Sequence, residues 1–311
     1  MITFSRIVTF IIAITYISCA TATENVIEKY LKPAPYKMGM HRMPKVDFIY
    51  MINLDKRPEK YAQTMKTLAP YGIYPYRFSA VNGWELPFEA IDNLGVKYQP
   101  GTPHGPICSV FRHIGDKEIV SFEVMKEEGV AYYCHSLSRG AIGCLMSHIS
   151  VLNDAYKSGY ETIWVMEDDI RVVEDPHILC DMIDQLDALA PGWDVFFTDA
   201  ETKGADGNRF YCGGIRPRPN FDYQDLNYYI QRYNVNENIE KLGLRFGAYS
   251  MIIRRSGVEK LLNFFKTYHL FFPYDMEYFF PPGIKLYSCT RDIVTTIAGA
   301  LSDNGSPTYE K

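Results

Sequence analysis

Buried strands alternating with amphipathic helices place this chain among the α/β folds, with a mostly parallel central sheet flanked by helices. Three stretches carry that expectation. Asp47 to Leu54 is a near-continuous apolar run, the pattern of a central parallel strand rather than of one half open to water. Ile142, Leu145, Met146, Ile149, Leu152 and Tyr156 form a helical stripe between Gly140 and Ser158, with Gly159 placed for a left-handed cap and a β-branched and aromatic strand, Thr162 to Met166, directly after it. A second stripe, Ile178, Leu179, Met182, Ile183, Leu186 and Leu189, leads into another strand, Trp193 to Asp199.

The remaining elements follow in order. After the first strand, Pro58 opens a helix with Tyr61, Ala62, Met65 and Leu68 on one side. Tyr74 to Phe78 reads as a strand and Ala80-Val81-Asn82-Gly83 as a turn, so the domain opens β-α-β, the start of a doubly wound sheet. Gly95 to Gly140 is rich in proline and glycine and reads as an irregular excursion at the ligand end. Asp175-Pro176 supplies an N-cap and a first helical position. Lys203 to Pro219 reads as a loop, and the tyrosine-crowded stretch Phe221 to Tyr233 fits either an acceptor groove or a packed loop. Ala248 to Ile253 is a strand. Ser256-Gly257-Val258-Glu259 reads as a capping box opening a helix with Val258, Leu261, Leu262 and Phe265 inward, and Ile284 to Ser288 is a short strand.

The N-terminus is a separate signal. Arg6 precedes an uncharged stretch, Ile7 to Thr23, of about 17 residues, near the lower limit for a membrane span. Its basic start and small-residue exit, Ala20-Thr21-Ala22, fit a secretory signal peptide, with a retained membrane anchor as the alternative. We therefore divide the chain into residues 1–22 as signal or anchor, 23–45 as a Pro-containing linker and 46–311 as the folded domain. This predicts export or entry to the secretory pathway, or else membrane association through the anchor. Apart from Cys19 the cysteines are Cys108, Cys134, Cys144, Cys180, Cys212 and Cys289, an even set that permits disulfides; Cys144 and Cys180 fall in helical stripes and read as buried thiols.

At 311 residues, 47% of them hydrophobic and 22% charged, the chain can build a large core. A net charge of −5 and the absence of any dense Lys/Arg run argue against a nucleic-acid partner. No CxxC pair is present, which argues against a structural zinc site.

Chemistry concentrates at Glu167-Asp168-Asp169, directly after the 162–166 strand. Three carboxylates at a buried strand end repel one another and lose water, a cost that a divalent cation offsets. Alternation along the strand sends Glu167 and Asp169 one way and Asp168 the other. Hard oxygen ligands suit Mg²⁺ or Mn²⁺, and such sites often share the metal with a substrate phosphate. In open α/β sheets ligands bind beyond the carboxyl ends of strands, where this triplet falls.

Several ordered segments resemble glycosyltransferase family 25, which includes bacterial lipopolysaccharide sugar transferases and animal procollagen galactosyltransferases. They are Ile52-Asn53-Leu54-Asp55-Lys56-Arg57-Pro58, Phe78-Ser79-Ala80-Val81-Asn82-Gly83, Gly140 to His148 and Val165 to Asp169. Weaker echoes lie at Ala248 to Arg254, Tyr274-Asp275 and Ser302-Asp303. Ala141 stands where the family usually has an acidic residue. The resemblance implies a GT-A-like nucleotide-binding fold, a UDP-sugar donor and Mn²⁺, with Glu167 and Asp169 as the ends of an Asp-x-Asp-type metal motif. It further implies donor contacts from Asn53, Arg57, Asn82, Gly83, Ser147, His148 and Asp168, and a glycan or glycoprotein acceptor. The family is described as inverting, which needs a base for the acceptor hydroxyl. Asp275, set among aromatics, is the first candidate and Asp303 the second. Two competing classes are another metal enzyme, such as a phosphodiesterase, and a catalytically silent secreted carbohydrate-binding or adhesion module. The scatter of seven histidines disfavours the first and the costly triplet disfavours the second.

Overall fold

A computed structural model describes residues 25–101, 107–115, 117–203, 206–212 and 214–305. The candidate signal or anchor segment lies outside the described residues. No helix among them is long and apolar enough to cross a membrane.

The chain opens with β1 (Phe48–Asn53), α1 (Pro58–Leu68) and β2 (Tyr76–Ser79), with β1 and β2 parallel. After α2 (Phe88–Leu94), four strands follow: β3 (Val96–Lys97), β4 (Ile107–Ile114), β5 (Lys117–Val124) and β6 (Ala131–Cys134). Next come α3 (Arg139–Ser158), β7 (Thr162–Glu167), β8 (Ile170–Val172), α4 (Ile178–Leu189) and β9 (Val195–Phe197). The C-terminal part holds α5 (Leu226–Ile230), β10 (Tyr233–Asn234), β11 (Ile239–Leu242), β12 (Ser250–Arg254), α6 (Arg255–Tyr268), β13 (Leu286–Cys289) and β14 (Val294–Thr296).

Eight strands form the main sheet, in the order β10-β11-β13-β9-β12-β7-β1-β2. It is mixed rather than mostly parallel. β1 is parallel to β2 and β7, and β9 to β13, but β12 runs against both neighbours and β10 and β11 are antiparallel. A continuous apolar run records burial on both faces, not strand direction, so the sequence pattern of β12 reads the same either way. Helices cover both faces. Along β7, Ile163 and Val165 face one core, shared with Ile142, Leu145 and Ile149 of α3 and Leu261 of α6. Trp164 and Met166 face the other, shared with Leu179, Ile183 and Leu186 of α4. The period-two alternation of one strand thus feeds two apolar layers.

The stretch expected to be irregular folds into a four-stranded antiparallel sheet, β3-β6-β4-β5. Its strand signal is weak because β5, Lys117-Glu118-Ile119-Val120-Ser121-Phe122-Glu123-Val124, is solvated over much of both faces. Two cap expectations also change. Asp175 accepts the His177 N–H at 3.0 Å in a turn, and α4 begins later, at Ile178. Ser256 donates to Asp194 Oδ1 at 2.6 Å instead of forming a capping box, and α6 starts without a side-chain cap. The tyrosine-crowded stretch is packed: Phe221 and Tyr223 meet Phe280, and Phe221 meets Phe264 of α6. Residues 25–45 run along the domain, with Ile27 buried, the Lys32 N–H on Ser150 Oγ and Lys37 paired with Asp154. No disulfide joins the described cysteines.

Candidate functional site

β1 and β7 run side by side in parallel, so their carboxyl ends open on the same edge of the sheet. The 80–84 turn, the N-terminal half of α3 and residues 302–304 complete a pocket there, enclosing about 630 Å³ of space. Glu167, Asp168, Asp169, Asn82, Gly83, Ser147 and Asp303 line it, together with Lys60, Trp84, Cys144 and Asn304. Asn53, Arg57, His148 and Asp275 do not. They sit behind the wall or beside it, and three of them act on residues that do line it.

Asn53 is buried at the end of β1 and donates to Asp168 Oδ2 at 2.6 Å and to the Arg57 carbonyl at 2.9 Å, while its Oδ1 accepts from Arg77 Nε at 2.7 Å. Thr64 of α1 holds the Asp168 backbone carbonyl at 2.6 Å. On the opposite side of β7, His148 Nε2 lies 3.0 Å from Glu167 Oε1, and Cys144 Sγ, one helical turn earlier, lies 3.9 Å from the same oxygen. The ring of His148 is stacked on Tyr274 with centroids 4.2 Å apart. Arg57 reaches Asp303, and Lys60 Nζ binds Asp303 Oδ2 at 2.8 Å and the Leu301 carbonyl at 2.9 Å. Ser147 is fully committed: it accepts the Val81 N–H at 2.8 Å and donates to the Gly143 carbonyl at 2.7 Å, which pins the turn to α3. Asn82 Oδ1 caps the Trp84 N–H at 3.1 Å.

Gly83 is dictated by close approach. A Cβ there would lie 1.8 Å from the Arg139 carbonyl oxygen, so no larger residue lets the turn sit against the start of α3. Gly140 plays the same part for the C-terminal segment, where a Cβ would lie 2.6 Å from Asn304 Cα.

Electrostatically the triplet is only partly compensated, by the Asn53 hydrogen bond and the nearby charges of Lys60 and Arg57. Asp169 Oδ1 is buried without a hydrogen-bond partner among the described residues. Burial, with the charges of Glu167 and Asp168 added, pushes the Asp169 carboxyl up to about 7. Asp168 is raised as well, mainly by burial, against the opposing hydrogen bond from Asn53. A buried carboxylate oxygen with no donor, beside two further carboxylates, is a donor set that fits a hard divalent cation. Among the described residues the three carboxylates do not bring their oxygens within 4.8 Å of one another, so a shared cation requires them to turn toward it; Cys144, His148 and Glu167 are the three residues whose ligand atoms do lie that close, a softer set that shares Glu167. Asp275 accepts the Gly247 N–H at 3.1 Å, and its carboxyl is raised by burial and by Glu167.

Lys60 and Trp84 were not singled out from the sequence, and Cys144, read there as a buried thiol, is half-buried and lines the pocket. Lys60 lies in the first turn of α1, three residues after Arg57, which precedes the helix; this close spacing of two cations was available to be read.

A Rossmann-like α/β domain with an acidic pocket at its strand ends is the class that fold and site define. The sequence model of the family described as "Glycosyltransferase family 25 (LPS biosynthesis protein)" matches residues 46–277, and the chain belongs to that family. A "Glycosyltransferase 25 family member" of Aedes aegypti is 24% identical over 212 residues, covering 65% of this chain and 30% of the relative. "Procollagen galactosyltransferase 2" of Homo sapiens is 26% identical over 174 residues, 56% of this chain and 22% of the relative. "Inactive glycosyltransferase 25 family member 3" of Homo sapiens is 24% identical over 164 residues, 52% and 22% respectively. The chain thus spans less than a third of the length of these relatives.

Proposed function

We propose that this domain transfers a hexose, galactose or glucose, from a UDP-sugar to a hydroxyl of a saccharide, lipopolysaccharide or hydroxylysine-type acceptor, with inversion and with dependence on Mn²⁺ or Mg²⁺. The observation that carries the reading is Asp169 Oδ1, buried and without a partner among the described residues, beside two further carboxylates in a pocket at the ends of β1 and β7. Asp169, with Asp168 and Glu167 beside it, would hold a divalent cation, which would supply positive charge to offset the negative charge developing on the departing UDP. Asn53 holds Asp168, and His148 holds Glu167, so both carboxylates are oriented before any ligand arrives. Lys60 and Arg57 are cations at this edge that are both tied to Asp303; exchanging Asp303 for a diphosphate releases them to bind phosphate oxygens.

In the transfer the acceptor oxygen bonds to the anomeric carbon, the bond from that carbon to the UDP oxygen breaks, and UDP leaves with the electron pair. The acceptor proton goes to a carboxylate. Asp275 suits this better than Asp303. Burial raises its pKa, and its contact among the described groups is a backbone N–H, whereas both oxygens of Asp303 are held by cations. An exported or lumenal setting, through residues 1–22 as signal or anchor, belongs to the same proposal.

A second reading is favoured by the human and mouse relatives named inactive: a silent binding module on the same fold. UDP release from UDP-galactose or UDP-glucose with Mn²⁺, abolished by Asp169→Asn, supports the transferase. UDP binding with no turnover on any saccharide, lipopolysaccharide or hydroxylysine acceptor supports the silent module.

A further inference from the structure

Behind the nucleotide-end pocket lies a second cleft, enclosing about 790 Å³ of space open to solvent. Its floor is the face of the β4–β5 hairpin, where Phe111 pairs with Val120 and Ser109 with Phe122 in register. Its walls are Trp84 and the 135–139 segment leading into α3. Trp84 lines both cavities, and Ser138 donates to the carbonyl of Asn304, which lines the first, so the two are continuous across one indole ring. Three features describe an occupant. The surface is aromatic and open: Phe122 is 64% exposed and Val120 46%, on a strand with no partner along its outer edge among the described residues. The charges cancel, since the Glu118 carboxylate is held by Arg139. Polar groups line it, in Ser109, His135 and Ser136, and the Trp84 Nε1–H has no acceptor among the described residues.

We infer that this cleft is the acceptor subsite, and that it takes a neutral pyranose of a glycan. The inference rests on the transferase reading above and adds the place and class of the acceptor. A pyranose presents an apolar face to an aromatic ring and hydroxyls at its rim, the match for apolar walls with a few polar groups and no net charge. A cationic side chain such as that of hydroxylysine finds no unpaired carboxylate here, because Glu118 is already neutralised. Trp84 separates donor from acceptor, and the exposed His135 and Ser136 supply polar atoms for sugar hydroxyls.

The test uses the full chain and neutral methyl glycosides of galactose, glucose and mannose, followed by saturation-transfer NMR, with UDP and Mn²⁺ titrated in parallel. Wild-type protein should transfer saturation to the ring protons of at least one glycoside. Phe122→Ala should weaken that binding about tenfold, the scale of one lost aromatic contact, and leave UDP affinity unchanged. Phe122→Tyr, which keeps the ring, should restore it. Because Phe122 is solvent-exposed, loss of fold does not enter the comparison. UDP binding with no glycoside signal, or a glycoside signal indifferent to Phe122→Ala, overturns the inference. Binding of an extended hydroxylysine peptide in a Phe122-dependent way, in place of glycosides, overturns it in favour of a polypeptide acceptor. Phe122-dependent glycoside binding by a chain that does not bind UDP keeps the cleft as a sugar site and refutes the transferase reading instead.

Discussion

Asp169→Asn should make the metal-free protein more stable in alkaline solution while removing its response to a divalent cation. The Asp169 carboxyl stands at about 7 in the fold against an ordinary 3.8, so the folded state binds its proton more tightly than the unfolded chain. That contribution to stability is fully present below about pH 4 and is lost as pH rises through about 7. At about 1.36 kcal/mol per tenfold change in proton affinity the upper bound is about 4 kcal/mol. Solvent reaching this partly exposed residue screens the repulsion and brings the expected effect to about 2 kcal/mol. The isosteric amide removes the charge but not the volume. In EDTA at pH 8 the variant should therefore melt roughly 4–8 °C above wild type, for a domain of this size, with no gain at pH 4. Mn²⁺ at about a hundred times its dissociation constant should raise wild-type stability by about 2.7 kcal/mol and the variant's far less. Thermal unfolding by circular dichroism at both pH values, with and without Mn²⁺, reads all of this. An asparagine variant less stable than wild type at pH 8 in EDTA, or one stabilised equally by Mn²⁺, would refute the reasoning.

Asp275→Asn should lower kcat by about a hundredfold or more while leaving UDP affinity within a factor of two, the pattern expected for loss of a general base; steady-state kinetics beside UDP titration separates the two quantities. Lys60→Ala should raise the donor KM more than it lowers kcat, since Lys60 is proposed to bind phosphate. An unchanged donor KM would show that its bond to Asp303 is its whole role. Gly83→Ala should cost about 3 kcal/mol by urea unfolding, because the added Cβ falls 1.8 Å from a backbone carbonyl that cannot yield without moving α3; a stable, active variant would mean that the turn shifts freely.

Where the sequence pattern was strong, the fold could be read from it. Thr162 to Met166 is a strand because its residues are buried on both faces, and the α3 stripe is a helix because its apolar positions recur once per turn. Strand direction was not legible, since β12 carries the same apolar run that a parallel strand would. The second sheet was hidden by β5, whose charged and apolar residues follow no regular alternation on a strand that is wet on both faces. Around the pocket, the triplet was legible because three adjacent carboxylates at a strand end are hard to explain otherwise. The division of labour behind it was not. That Asn53 holds Asp168, that His148 holds Glu167 and that Arg57 and Lys60 converge on Asp303 depend on pairs separated by 115, 19, 246 and 243 positions, which no local pattern encodes.

The central claim is that the acidic pocket binds a UDP-sugar through a divalent cation. Its most direct measurement is UDP release by residues 25–311 from UDP-galactose, UDP-glucose and UDP-N-acetylhexosamines, in Mn²⁺ or in EDTA, for wild type and Asp169→Asn. The account predicts release from a hexose donor in Mn²⁺ only, and none from the variant. Release that persists in EDTA or in Asp169→Asn, or a wild-type protein that neither releases nor binds UDP from any donor, would contradict it.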